Sequence, residues 1–172
     1  MSLKKTKAIF LDRDGIINDD SGYVSKIEDF KFTKGIFKTL LALQDKGYLL
    51  IIVTNQSGIA RGYYSEEAYM NLTLYMVEEF KKRGITIASV YHCPHGPDDD
   101  CKCRKPRAGM LKAAQKQFRV QMKDSWMIGD KESDMLAAKS AGIKQRLLVS
   151  KEQGESATHH VNSVGKVLEV IG

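Results

Sequence analysis

The sequence lacks any long hydrophobic run. Its longest aliphatic stretch, residues 49–53, holds five residues, against the ~18 that a membrane-spanning helix needs. No transmembrane segment is expected. A secretory leader is not expected either. Lys4 and Lys5 run straight into Ala8-Ile9-Phe10-Leu11 with no apolar core or small-residue cleavage site between, so the expected compartment is the cytoplasm. Repeats and low-complexity tracts are absent. The chain has 27 Lys and Arg against 21 Asp and Glu, a net +6, yet no basic run is interleaved with aromatics. Lys4-Lys5-Thr6-Lys7 is short and terminal, and Lys81-Lys82-Arg83 reads as the cationic end of a helix. A nucleic-acid partner is therefore not expected. The surplus charge reads as solvated surface, with attraction to anionic small molecules as the alternative. Cysteine is scarce, three residues in 172, which excludes a disulfide scaffold.

What is present suits one globular domain spanning residues 1–172. The hydrophobic fraction is 42% and the charged fraction 28%. Strand-like and helix-like segments alternate along the chain. Residues 8–11, 48–53, 85–91, 126–128 and 146–149 read as buried strands. Apolar residues at helical spacing predict helices starting at Ile36, at Glu66 behind a Ser65 N-cap, at Met110 and at Glu132. Val161, Val164, Val167, Leu168 and Ile171 predict a closing helix, with 146–149 as the last strand. This alternation predicts an α/β fold: a three-layer, Rossmann-like parallel sheet with helices on both faces. Ligands of such sheets sit beyond the carboxyl ends of the strands. The reactive residue types fall there: Asp12 after the first strand, Thr54 at the end of the second, the 92–105 stretch after the third and Asp130 after the fourth.

Asp12-Arg13-Asp14-Gly15 sets two carboxylates two residues apart, which on an extended segment point to the same side. Alone, the motif could be a calcium loop or a turn. An EF-hand needs a Glu about twelve residues on, and position 23 is Tyr23. Asp130 and Asp134 form a second acidic pair. Helix N-terminal acids would explain Asp134 alone, but two pairs at strand ends suit a hard cation such as Mg²⁺. Thr54 offers a hydroxyl beside turn amides, a phosphate-binding arrangement. Lys105, before Pro106, offers a fixed positive charge.

Cys93, Cys101 and Cys103 lie within eleven residues, with His95 between them. Four soft or borderline donors in one loop match a closed, structural Zn²⁺ site that leaves no position for water. A disulfide would leave one thiol over, in a reducing compartment. The zinc loop is expected to span 92–105 and to fix Arg104 and Lys105.

Asp12-Arg13-Asp14-Gly15, Thr54-Asn55-Gln56, Lys105 and Gly129-Asp130-x-x-x-Asp134 resemble, in order, the four motifs of the haloacid dehalogenase (HAD) superfamily of phosphatases. Two branches carry such a zinc loop: histidinol-phosphate phosphatases and heptose 1,7-bisphosphate phosphatases. Asn18-Asp19-Asp20-Ser21-Gly22-Tyr23-Val24 and Thr54-Asn55-Gln56-Ser57-Gly58-Ile59-Ala60-Arg61-Gly62 are more similar to the heptose branch. The resemblance implies an Mg²⁺-dependent phosphomonoesterase acting on a small sugar bisphosphate, and a monomer is the default expectation. It would remove the 7-phosphate on the route to nucleotide-activated heptose for surface glycans. By the same resemblance Asp12 is the nucleophile and Asp14 the general acid/base. Thr54 and Lys105 would stabilise the phosphoryl oxygens. Mg²⁺ would be held by Asp12, Asp130 and the Asp14 carbonyl, and Zn²⁺ by Cys93, His95, Cys101 and Cys103. Asp134 would orient Lys105 or a metal-bound water. Asp20, Ser21, Gly22, Tyr23, Asn55, Gln56, Ser57, Arg104 and Lys131 would line the sugar-phosphate site, with Arg61 a weaker candidate. No insertion is large enough for a separate cap domain, so the site is expected to be open.

Overall fold

A computed structural model describes residues 4–172; the first three residues of the expected 1–172 domain lie outside them. Six parallel strands form one sheet in the order β3-β2-β1-β4-β5-β6. They are β1 (Ala8–Leu11), β2 (Leu49–Asn55), β3 (Ile87–Cys93), β4 (Trp126–Gly129), β5 (Gln145–Val149) and β6 (His159–Val161). The helices are α1 (Ile36–Asp45), α2 (Glu66–Lys81), α3 (Gly109–Phe118), α4 (Glu132–Ser140) and the short α5 (Val167–Val170). Among the described residues, no helix is long and apolar enough to cross a membrane.

Strand side chains alternate faces, and the two hydrophobic clusters follow that alternation. Ile9 and Leu11 of β1, with Leu50 and Ile52 of β2, pack under α1, α2 and α5. Ala8 and Phe10, with Ile51 and Val53, pack under α3 and α4. Strands buried on both faces need near-continuous apolar runs, which is why 8–11 and 49–53 are legible as strands. α2 begins where its cap dictates: the Ser65 hydroxyl oxygen accepts a hydrogen bond from the Ala68 amide at 3.1 Å.

Two expectations need correction. The third strand was expected over 85–91 and runs Ile87–Cys93. The Ile85 amide instead donates back to the Phe80 carbonyl at 3.0 Å, closing α2 over Gly84 at φ 76°. The 146–149 strand is not the last. β6 pairs beyond it, Leu147 with His159 through Val149 with Val161. The expected closing helix is thereby split into β6, a 3₁₀ turn (Val164–Lys166) and α5.

Candidate active site and metal centres

The site is built where strands end. Asp12 directly follows β1, tied to β4 by its amide on the Ile128 carbonyl at 3.1 Å. Lys105 reaches it from the 92–105 loop. Its Nζ lies 2.9 Å from Asp12 Oδ1, 2.6 Å from Asp134 Oδ1 and 2.7 Å from the Val53 carbonyl. Asp134 sits in the first turn of α4. Its other oxygen, Oδ2, accepts from the amides of Asp130 and Lys131, both at 3.1 Å. One carboxylate thus caps a helix and holds the lysine, so both readings offered for Asp134 are realised.

Asp12, Asp130 and Asp134 place ligand oxygens within 4.8 Å of one another. Three carboxylates face one ammonium, an excess of two negative charges. Burial, then Asp134, pushes the Asp12 carboxyl well above its ordinary value, with Lys105 pulling the other way. Asp130 is raised by burial and by Asp134. Burial alone would lower Lys105, but Asp12 and Asp134 hold it above its ordinary value, so it stays charged. Asp130 Oδ1 is buried with no hydrogen-bond partner. An orphaned carboxylate oxygen beside unbalanced negative charge fits a divalent cation. Gly15, at φ 90°, is required here, because a Cβ on it would lie 2.2 Å from Asp130 Oδ2.

Asp14 is held differently. Its Oδ1 accepts from Arg13 Nη2 at 2.8 Å and Asn18 Nδ2 at 3.0 Å, and its Oδ2 from Gln56 Nε2 at 3.0 Å. Arg13 is 1% exposed and also donates to the Val24 carbonyl at 2.8 Å. Arg13 was not singled out in the sequence, and Asn18 was noted only as the first residue of the Asn18–Val24 stretch that resembles the heptose branch, not as a partner of Asp14. Arg13 stood as the spacer of the Asp-x-Asp motif, and no local pattern marks either side chain as turning inward. Thr54 is fully buried, and its Oγ1 accepts from Gln56 Nε2 at 2.9 Å. The Asn55 side chain pairs twice with the Lys105 backbone, Nδ2 to O at 3.1 Å and N to Oδ1 at 3.0 Å. It thereby moors the lysine segment to the end of β2.

Of these groups Asp14, Asn55, Gln56 and Lys105 line a cleft of about 680 Å³. Of the residues expected at the sugar, the cleft is lined by Asp20, Gly22, Tyr23, Asn55, Gln56, Ser57, Arg104 and Lys131; Arg61 also lines it, and Ser21 does not. Tyr64, Asp99, Arg107 and Ser133 are lining residues the sequence reading missed. Over the mouth, the Tyr23 and Tyr63 rings meet edge to face at 4.8 Å, and the Arg61 guanidinium stands 5.9 Å above Tyr23. Tyr23 holds a φ of 48°, rare outside glycine.

The second metal candidate is the loop after β3. Cys93, His95, Cys101 and Cys103 bring their donor atoms within 4.8 Å of one another. His95 Nδ1 lies 3.4 Å from Cys93 Sγ and 3.3 Å from Cys103 Sγ, and Cys93 Sγ is 3.8 Å from Cys101 Sγ. Tetrahedral bonds of roughly 2.0–2.3 Å put donors at about such separations; the Cys93 and Cys103 sulfurs, 2.7 Å apart, are closer than that. Burial opposes ionisation of Cys101, but the Arg104 amide and the neighbouring thiols bring it down to about 7, ready to bind as thiolate. The donor set fits zinc.

Comparison with known proteins accords with this geometry. Residues 102–167 match the HAD-hydrolase-like family. A D-glycero-alpha-D-manno-heptose-1,7-bisphosphate 7-phosphatase from Campylobacter jejuni is 53% identical over 151 residues, covering 88% of this chain and 87% of the relative. The beta-anomer enzyme from Haemophilus ducreyi is 49% identical, covering 83% of this chain and 82% of its own length. The crystal structure of D,D-heptose 1,7-bisphosphate phosphatase from B. bronchiseptica, complexed with magnesium and phosphate, superposes with a TM-score of 0.88 at 28% identity. It covers 96% of this chain and 98% of that one. The chain belongs to the D-glycero-D-manno-heptose 1,7-bisphosphate 7-phosphatase family of HAD-like hydrolases.

Proposed function

We propose that the chain hydrolyses the 7-phosphate of D-glycero-D-manno-heptose 1,7-bisphosphate through an aspartyl-phosphate on Asp12. One observation carries the reading. The cleft holds a buried lysine against a carboxylate at its floor and further cations, Arg104 and Lys131, on its lining. A substrate with two phosphates needs both.

The chemistry follows from the placement of the groups. The Asp12 carboxylate attacks phosphorus, an O–P bond forms, and the P–O bond to the sugar breaks. The departing electron pair stays on the sugar oxygen, which takes a proton from Asp14 Oδ2. Asp14 then accepts a proton from the water that hydrolyses the intermediate and releases phosphate. Lys105 and Thr54 face the charge that accumulates on the phosphoryl oxygens. Asp12 and Asp130, with the Asp14 carbonyl, would hold Mg²⁺, which when bound would supply the charge neutralisation that lets two anions approach. Arg104 binds the phosphate that is not cleaved, a task for which its planar fork is suited. Cys93, His95, Cys101 and Cys103 would hold a zinc ion that ties down the loop carrying Arg104 and Lys105.

The test is phosphate release in Mg²⁺ from both anomers of the heptose bisphosphate, with histidinol phosphate alongside. A strong preference for either heptose anomer supports the reading and identifies the anomer. Faster turnover of histidinol phosphate would overturn the substrate while leaving the aspartyl-phosphate chemistry standing.

A further inference from the structure

Gly58 and Tyr64 belong to the stretch that follows Thr54, yet the reaction just described uses neither. They are packed against each other. A Cβ on Gly58 would lie 2.1 Å from Tyr64 Cε1 and 2.9 Å from its hydroxyl. The missing side chain is therefore what lets the tyrosine ring reach the cleft. There the Tyr64 hydroxyl donates to Gln56 Oε1 at 2.5 Å. Gln56 is 3% exposed, so its amide has no water to turn to.

An amide has two faces of opposite polarity, and their assignment decides what Asp14 meets. With Oε1 taken by Tyr64, Nε2 faces Asp14 Oδ2 at 3.0 Å and Thr54 Oγ1 at 2.9 Å. A flipped amide would set its oxygen on Asp14 Oδ2, where it would engage the proton that the leaving group needs. Asp14 Oδ1 is already held by Arg13 and Asn18, leaving Oδ2 as the oxygen that exchanges protons with substrate. Gln56 is thus the side chain that orients the reactive oxygen.

We propose that Tyr64 is a positioning residue for the proton-transfer step: seated against Gly58, it locks the Gln56 amide so that Nε2 holds Asp14 Oδ2. This rests on the assignment of Asp14 as general acid. Burial raises the Tyr64 phenol to about 12, although Arg13 counters it, so the hydroxyl remains a donor at neutral pH.

The test compares leaving groups. A sugar alkoxide needs a proton in order to depart; p-nitrophenolate does not. The kcat/KM for each substrate reports the first phosphoryl transfer. Tyr64→Phe should lower kcat/KM for the heptose bisphosphate roughly tenfold, through kcat more than KM, and change it less than twofold for p-nitrophenyl phosphate. Gly58→Ala, which displaces the ring while leaving residue 64 a tyrosine, should reproduce the pattern. Asp14→Asn is the reference: it should show the same selectivity, at about a hundredfold or more. Equal losses on both substrates in Tyr64→Phe, or no loss on either, would overturn the proposal. If Asp14→Asn itself lacked the selectivity, the general-acid reading would fall instead, a distinguishable result.

Discussion

Replacing Lys105 by Met keeps the buried stem and removes the charge. The ammonium is 2% exposed and binds Asp12, Asp134 and the Val53 carbonyl. Its loss leaves the three carboxylates with no cation bonded to them, an excess of three negative charges instead of two within that group. Deleting one partner of a buried ion pair costs about 3–5 kcal/mol, because the remaining charge is left uncompensated. A chain of this size loses about 2–4 °C of melting temperature per kcal/mol, so Tm should fall by about 10 °C. Two further results identify the cause. Adding Mg²⁺ should narrow the gap to wild type, since the cation offsets part of the charge. Lys105→Met combined with Asp134→Asn should melt above the single variant, because the residues share one interaction and their effects are not additive. The assay is thermal melting by circular dichroism, with and without Mg²⁺, alongside phosphate release, which should be lost. A Tm within about 2 °C of wild type, or a double variant weaker than the single one, would refute the argument.

Asp12→Asn should abolish turnover and leave the far-ultraviolet spectrum unchanged; appreciable residual phosphate release would remove Asp12 as nucleophile. Protein purified without added zinc should carry one zinc per chain, and Cys101→Ser should lose it and raise KM; metal analysis finding under about a tenth of an equivalent would exclude a structural zinc. Mg²⁺ affinity should rise with pH above 3.8, the ordinary aspartate value, because burial and Asp134 raise Asp12 and Asp130 and the cation takes the ionised form. The metal-free protein should lose stability over that range as pH increases, since the folded state still holds a proton the unfolded chain has released. Calorimetric titrations at about pH 5.5 and 7.5 giving equal affinities would contradict this.

The parts of the fold read correctly from sequence are those under local control. β1 is four consecutive buried apolar residues. α2 announces itself by Ser65, two acids in its first turn and an apolar stripe. β6 is three residues, two of them histidines, and forms only because β5 offers an edge; no periodicity could mark it. The ionic centre was legible because its acids fall at strand ends, where parallel sheets collect ligands. What holds those acids was not. Arg13, Asn18 and Tyr64 act through contacts whose direction depends on side-chain rotamer and loop path, which residue type alone leaves open. Asn55 carries a related lesson. Its motif marked it for substrate, while its amide is engaged on both sides by the Lys105 backbone.

The position of β1 bears on how the chain is made. The strand precedes the other five in the chain and lies inside the sheet, between β2 and β4. On a ribosome its second edge has no partner until residue 126 has emerged, because only β4 covers it. Throughout that interval an apolar strand carries open backbone groups, the condition under which nascent chains are most prone to wrong pairing. The lysine that meets Asp12 is itself 93 residues downstream. Catalytic competence should therefore arrive late in folding, and recovery of activity after dilution from denaturant would report completion of the whole sheet, not formation of any one part of it.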